Sequence, residues 1–179
     1  MFLFVFLACQ DQSALQGVGY GHQALEDEEM YFSSSEGQSG LDASGFEFLP
    51  EELEVSLLVN DYRLELELPP MTLLEEFSLL ARKHSEAMAQ GDVDLGHDGF
   101  SERYQMARSV AILSSAGENV GMNFAAQDPV NNAIDNWLDS DGHRQNIEGD
   151  FNLTGVGIAR NELGAIYFTQ LFFSGELIE

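Results

Sequence analysis

Apolar residues first recur at helical spacing between Glu51 and Leu64, where they stand three and four positions apart. Pro50 stands where a first-turn proline is tolerated, and Pro69 prevents a helix from continuing. We therefore predict a helix from Glu51 to about Leu64. The end of this segment stays open, because its last leucines alternate with glutamates in the way that a strand would.

A second amphipathic pattern begins after Thr72. The Thr-Leu-Leu-Glu at this point has the form of a capping box, and the apolar stripe that follows includes His84, which we interpret as a core residue. Gly91 is expected to end this helix. Two further helices are predicted: a short one from Ser101 to Arg108, and one after Asp128, where an N-cap aspartate precedes a proline and an apolar face.

Two later stretches have the composition of strands. The sequence SSAGENVGMNFAA mixes small and apolar residues in a manner that suits a strand leaving a tight turn. The sequence NLTGVGIARNELGAIYFTQLFF has two runs rich in β-branched and aromatic residues, separated by Asn161 to Gly164, which predicts a hairpin. Gly155 and Gly157 in the first run indicate that another backbone approaches closely. Helices that precede an antiparallel pair predict an α+β fold in which helices cover a small sheet.

The N-terminal part of the chain has no sustained apolar period. Residues 10–45 are mostly Gln, Ser, Gly, Glu and Asp, a composition that predicts a solvated, disordered linker. The folded domain is therefore expected at 46–179. If the chain is anchored in front of this linker, the linker would act as a flexible, charged tether.

Residues 1–9 form an apolar segment that ends at Cys9 and is too short to span a bilayer. The segment is similar to the end of a secretory h-region and, loosely, to a lipobox, in which the cysteine is lipidated and attaches the chain to a membrane. The alternative is an apolar tail without a targeting role. That alternative stays open because Arg63 is the first basic residue, and a signal needs a basic n-region.

The chain carries a strong acidic excess. It has 31 acidic residues against 7 basic ones and a formal net charge of −24, so a phosphate backbone would be repelled. Nucleic acid is therefore excluded as a partner class. With 1 cysteine, no disulfide can form within the chain, and nothing in these patterns fixes the oligomeric state.

Six short motifs carry a resemblance to a known family. They are HSEAMAQ, LGHDGF, AGENVG, WLDSDGHRQNI, FNLTGVGIA and YFTQLF. In this order and at about this spacing they resemble the CAP superfamily, the cysteine-rich secretory, antigen 5 and pathogenesis-related 1 proteins, and most of all its cysteine-poor bacterial branch. The resemblance covers roughly Glu51 to Phe173. It implies an α-β-α sandwich with a small, mainly antiparallel sheet, a central cleft, and an extracytoplasmic location, either secreted or membrane-anchored.

In that family the cleft carries two histidines and acidic residues. Matched motif by motif, His97 resembles the first cleft histidine, His143 the second, and Glu118 the first cleft glutamate. Two imidazoles beside a carboxylate can hold Zn²⁺ or another divalent cation with an open coordination position. The alternatives are purely structural hydrogen bonding for the histidines and, for Glu118, a role in orienting one of them.

The second glutamate of the family's cleft has no counterpart in the matching motif. The resemblance places Ser140 at that position, and Asp139 and Asp141, which flank it, are candidate substitutes. Zinc hydrolases usually have three protein ligands and a positioned base, so no catalytic residue is assigned.

Three functions stay open at this point. The resemblance favours an exported, non-catalytic binding or interaction module whose His/Glu cleft takes a divalent metal and a lipid-like or peptide ligand. The first alternative is a metal-dependent hydrolase acting on peptides or cell-envelope material. The second is a structural domain with a vestigial cleft, which the serine at position 140 supports.

Overall fold

The computed structural model of the chain describes residues 4–8, 43, 45–124 and 126–178. For residues 4–8 it describes the backbone alone. Cys9 and nearly all of the predicted linker at 10–45 lie outside the described residues, so lipidation and the linker stay predictions. Within the described ranges, no helix is long and apolar enough to cross a membrane.

The described residues form five helices and five strands. In chain order these elements are β1 (Phe4–Ala8), α1 (Pro50–Glu65), β2 (Thr72–Leu73), α2 (Glu75–Gln90), α3 (Phe100–Ala107), β3 (Ala111–Phe124), α4 (Pro129–Asp139), α5 (Asp141–Ile147), β4 (Leu153–Arg160) and β5 (Ala165–Leu177). The helix predicted from Glu51 to about Leu64 is confirmed as α1. Gly91 ends α2 with a left-handed φ of 80°, and the Asp128 side chain caps α4, both as predicted.

The strands form one mixed sheet in the order β1-β3-β5-β4-β2. Its centre is antiparallel, because β3 pairs with β5, and β4 pairs with β5 through the hairpin predicted at Asn161 to Gly164. The edge strands β1 and β2 pair in parallel with β3 and β4. The predicted α+β fold with a small, mainly antiparallel sheet is confirmed.

Helices cover both faces of this sheet. α1, α4 and α5 pack on one face around an apolar cluster that contains Trp137, while α2 and α3 pack on the other around a cluster that contains Phe77. Phe172 belongs to the first cluster and Phe173 to the second, because successive residues of a strand point to opposite faces. The molecule is an α-β-α sandwich, as the resemblance implied.

α2 lies against β4 with no space for a side chain between the two backbones. A Cβ added to Gly157 would stand 1.9 Å from the backbone nitrogen of Arg82, and one added to Gly155 would stand 2.3 Å from the carbonyl carbon of Phe77. The close approach predicted from these glycines is confirmed. The Ser85 hydroxyl on α2 donates to the Gly157 carbonyl at 2.8 Å, which fixes the helix along the strand.

The predicted start of α2 is wrong. The Thr72 motif is no capping box, because α2 begins only at Glu75. Thr72 instead lies in β2, where it pairs with Leu153 of β4. The Thr72 backbone N–H donates to the Asn152 carbonyl at 2.9 Å, so pairing with the sheet satisfies this segment instead of a helix cap. The sequence also left open whether the alternating leucines and glutamates at the end of α1 form a strand. The chain turns there, with Glu67 at φ 60°, and forms no strand.

The sequence pattern did not separate α5 from α4. Ser140 ends the first helix and precedes the second in an extended conformation, with φ −98° and ψ 120°. His143 therefore lies inside its own helix of 7 residues, not at the end of an apolar one.

A buried arginine fixes the segment after α5. Arg63 of α1 is only 1% exposed, and burial lowers the pKa of its guanidinium. The side chain donates to four backbone carbonyls, those of Pro69, Ile147, Gly149 and Phe151, at 2.6 to 3.0 Å. These donations satisfy the C-terminal end of α5 and the chain that leads into β4.

A buried glutamate fixes the beginning of α1. The Glu52 carboxylate is fully buried and accepts from the Leu49 backbone N–H, from the Arg82 guanidinium and from the Ile158 backbone N–H. One side chain thus joins α1, α2 and β4. Charge-assisted bonds to a buried carboxylate are among the stronger hydrogen bonds in proteins.

We expect Gly157→Ala to lower the free energy of unfolding by about 3 kcal/mol or more, because the added methyl group has no room against the α2 backbone. The measurement is urea unfolding followed by circular dichroism. Gly96→Ala is the matched control, since a Cβ there meets nothing within 4 Å. Equal midpoints for the two variants would contradict the close packing.

Candidate functional site

The candidate site is built around Glu118 in the middle of β3. Its side chain is fully buried and lies on the sheet face that α3 covers. Arg103 of α3 donates through Nε to Oε2 at 2.8 Å and through Nη2 to Oε1 at 2.9 Å. This bidentate geometry is the strongest form of arginine–carboxylate contact. Arg103 also donates through Nη1 to the Asp98 carbonyl at 2.8 Å, which holds the loop in front of α3.

His97 reaches the same carboxylate from the loop between α2 and α3. Its Nδ1 stands 2.8 Å from Oε1 of Glu118, and its side chain is 14% exposed. An ionised carboxylate accepts only, so Nδ1 is the donor in this contact. The structure thus brings together His97 and Glu118, two of the residues that the resemblance singled out, and adds Arg103 to them.

His84 of α2 contacts the loop that carries His97. It is 5% exposed, and its Nε2 lies 2.8 Å from the carbonyl of Gly96, the residue before His97. Burial, followed by the positive charge of Arg103, lowers the pKa of His84 below its ordinary value of 6.5. A neutral, buried imidazole agrees with the prediction of a core histidine.

His143 approaches β3 through α5, and it is fully buried. Its backbone carbonyl accepts from Asn119 Nδ2 at 3.1 Å. Asn146, one turn later, donates to the Glu118 carbonyl at 3.1 Å and to Asn119 Oδ1 at 2.8 Å. The helix of His143 is therefore hydrogen-bonded to Glu118 and Asn119 of β3. The side chains of these two residues point to opposite faces of the sheet.

The residues around the missing glutamate lie at the surface. Ser140 is the half-buried residue that joins α4 to α5. Asp139 is exposed, and the Asp141 side chain is 85% exposed and pairs with Arg144 on its own helix. Both candidate substitutes thus direct their charge toward solvent.

The outer edge of β3 carries the N-terminal strand at this position. Residues 4–8 run parallel to Ser115–Asn119, with Leu7 opposite Glu118 and Ala8 opposite Asn119. α5 packs against this strand as well. The edge beside the His97 and Glu118 cluster therefore accepts an extended backbone between α5 and β3.

Sequence reasoning missed Arg103 and the two asparagines. Arg103 had a signal, since it stands on the buried stripe formed by Phe100, Tyr104 and Ala107, where a basic residue needs a buried partner. Asn119 stands inside the AGEN motif and Asn146 inside DGHRQNI, but the spacing within a motif does not reveal a contact between the two.

The predicted metal site at His97 and His143 stays a prediction, and Glu118 is a poor third ligand for it. In the part of the chain that the structure describes, no three His, Cys, Asp or Glu side chains are grouped to hold a metal ion. The Glu118 carboxylate is already matched by the Arg103 guanidinium, so a cation bound there would have to displace a buried arginine. No step that depends on a metal is derived for this site.

We expect Glu118→Gln to lower the free energy of unfolding by about 3 kcal/mol, because it leaves the charge of Arg103 buried without its partner. Adding Arg103→Met should recover part of this loss, as a double-mutant cycle in urea would measure. The surface pair supplies the control, since Asp141→Asn should change stability by less than about 0.5 kcal/mol. Additive losses for Glu118→Gln and Arg103→Met would contradict the coupling.

The lowered pKa of His84 predicts a dependence of stability on pH. The unfolded chain binds a proton near pH 6.5 while the folded chain resists it, so stability is present above 6.5 and is lost as the pH falls toward the lowered value. Wild type should therefore lose more stability between pH 7 and pH 5 than His84→Gln, which keeps a donor for the Gly96 carbonyl. Parallel thermal melts across this range give the difference, and identical slopes would refute it.

Comparison with known proteins agrees with this geometry. Residues 57–172, more than half of the chain, match the CAP domain of the Cysteine-rich secretory protein family. The uncharacterized protein YkwD of Bacillus subtilis is 31% identical over 121 residues, which are 66% of this chain and 46% of YkwD. The chain therefore spans less than half of that relative's length.

Solved structures share the fold at low identity. A cysteine-rich secretory protein of Staphylococcus aureus has a TM-score of 0.56 at 18% identity, over 69% of this chain and 38% of its own. An extracellular SCP-domain protein of Bacillus anthracis has a TM-score of 0.54 at 24% identity, over 69% and 40%. An outer surface protein of Borrelia burgdorferi has a TM-score of 0.58 at 13% identity, over 73% and 97%. With the match to residues 57–172, the sandwich and the motifs around His97, Glu118 and His143 identify this chain as a member of the CAP family of cysteine-rich secretory proteins.

Proposed function

We propose that this chain is an extracytoplasmic, non-catalytic binding domain whose ligand is an extended peptide that pairs with the outer edge of β3. The observation that carries the proposal is the parallel pairing of residues 4–8 with Ser115–Asn119. An unpaired strand edge offers a row of backbone donors and acceptors, and adding a strand is a recurrent way to bind a peptide.

The edge is rigid where the peptide would pair. Glu118 is fixed by Arg103 and His97, while Asn119 is fixed by Asn146. Both strand residues are fully buried. A pre-organised edge loses little conformational entropy on binding, which favours affinity from backbone hydrogen bonds alone.

The same contacts argue against catalysis at Glu118. The Glu118 carboxylate already accepts two bonds from the Arg103 guanidinium and one from His97, so a substrate group would have to displace one of these donors to reach it. His84, the second imidazole near this carboxylate after His97, is buried, and its Nε2 contacts a backbone carbonyl. The hydrolase alternative, the divalent metal and the lipid-like ligand stay predictions from the resemblance.

The proposed location rests on the family and its members. The B. anthracis relative is described as extracellular and the B. burgdorferi relative as an outer surface protein. Export of this chain would also explain the apolar segment at residues 1–9. Removal of that segment as a signal would vacate the edge, whereas its retention would make it an internal competitor of the ligand.

The test uses a fluorescent FVFLA peptide with a poly(ethylene glycol) tail and the full chain carrying Phe6→Pro and Leu7→Pro. Only one of these two residues directs its backbone N–H toward β3, and prolines at both positions remove that donor whichever residue it belongs to. The edge of β3 then becomes available. We expect the peptide to bind this variant at least tenfold more tightly than it binds wild type, as measured by fluorescence anisotropy.

Two backbone-methylated peptides provide the control. In one, the amides of the first, third and fifth residues carry N-methyl groups; in the other, those of the second and fourth do. Strand pairing uses alternate amides, so one peptide should lose binding while the other keeps it. Equal binding of both, or tighter binding by wild type than by the variant, would refute the proposed function.

A further inference from the structure

We propose that the exposed face of α1 is a second docking surface, separate from the β3 edge, and that its occupant is a basic amphipathic helix of a partner protein. The surface consists of a leucine stripe (Leu53, Leu57 and Leu64) and an acidic ridge beside it (Glu54, Asp61 and Glu65). The inference goes beyond the proposed function and does not depend on it.

The leucine stripe runs along one line of the helix. Its members stand four and seven positions apart, so they follow one another on the same side of α1. Leu53 is 49% exposed, Leu57 61% and Leu64 55%. The opposite side of the helix packs into the core through Val55 and Val59, which are fully buried. α1 therefore has two apolar faces, and the sheet covers one of them.

The acidic ridge runs parallel to the stripe. Its members are seven and four positions apart, namely Glu54, Asp61 and Glu65. The ridge is rotated from the leucine stripe by about one residue, which is roughly 100° around the helix axis. All three are exposed, and none forms an ion pair with another residue that the structure describes. An apolar stripe with carboxylates along one side complements a helix that carries leucines beside lysines or arginines.

The charge of each candidate occupant decides which of them the α1 surface favours. The residues before Arg63 include no lysine or arginine, so the chain's own N-terminal part cannot neutralise the ridge. A second copy would set one ridge near another, and an anionic membrane surface would be repelled by the net charge of −24. The stripe spans 12 residues, with about 16 Å of helix between its first and last members, so a partner helix of three to four turns would cover it.

The experiment measures binding of two designed helical peptides to the full chain. Both peptides have the same leucines along one side of the helix. Beside these leucines, one peptide has lysines and the other has glutamates. We expect micromolar binding of the lysine peptide by anisotropy, and at least tenfold weaker binding of the glutamate peptide. Leu53→Gln with Leu57→Gln should weaken binding of the lysine peptide at least tenfold while the melting temperature stays unchanged.

A charge-matched control separates the ridge from the general acidity of the chain. Glu54→Gln, Asp61→Asn and Glu65→Gln together should weaken binding at least tenfold, whereas Glu75→Gln, Glu86→Gln and Asp92→Asn, exposed on and just after α2, should change it less than twofold. Equal losses in the two triple variants would overturn the inference, as would failure of the lysine peptide to bind. A wild-type dimer in sedimentation that Leu57→Gln dissociates would also overturn it, since the occupant would then be a second copy.

Discussion

The site depends on one constraint, the need to compensate the buried charge of Glu118. A carboxylate without exposed surface costs several kcal/mol of desolvation unless a cation and hydrogen bonds replace water. Arg103 meets this need, and α3 must therefore lie where the guanidinium reaches both oxygens. A helix of 8 residues is marginal on its own, so this ion pair and the apolar side chains around it determine its position. His97 and the loop at Asp98 are then placed by the same two side chains.

The same rule fixes the helices on the other face. Arg63 brings α1 against the end of α5, because its buried guanidinium needs acceptors and the converging carbonyls of Ile147, Gly149 and Phe151 supply them. Glu52 sets the beginning of α1 against α2 and β4. In a chain with 7 basic residues, such a use of arginines concentrates the few positive charges where they hold elements together. The helix that carries His143 is therefore positioned by a residue 80 places earlier in the chain.

Much of the fold follows from sequence because its signals are local. The apolar period of α1, the Asp128 cap and the hairpin each depend on residues a few positions apart. The start of α2 and the break between α4 and α5 depend on how backbone groups meet the sheet, and a linear pattern does not contain that information. For the site, the motifs singled out His97 and Glu118, which lie in contact in the structure, but they did not show the compensating cation. A buried arginine on an apolar stripe needs a partner, and only the packing of α3 shows which one.

The two proposed surfaces rest on different physics, and that difference follows from where the charges lie. Six of the seven basic side chains have hydrogen-bond or ion-pair partners within the protein, namely Arg63, Arg82, Arg103, Arg108, Arg144 and Arg160. The outward field is therefore acidic, and surface charges act over about 8 Å at physiological ionic strength. Binding at the α1 ridge depends on that field and must weaken as salt is added. Pairing along β3 uses uncharged peptide groups, which salt screens little. Ionic strength therefore acts mainly on the α1 surface, so one chain can release a basic partner while it retains a peptide at the sheet edge.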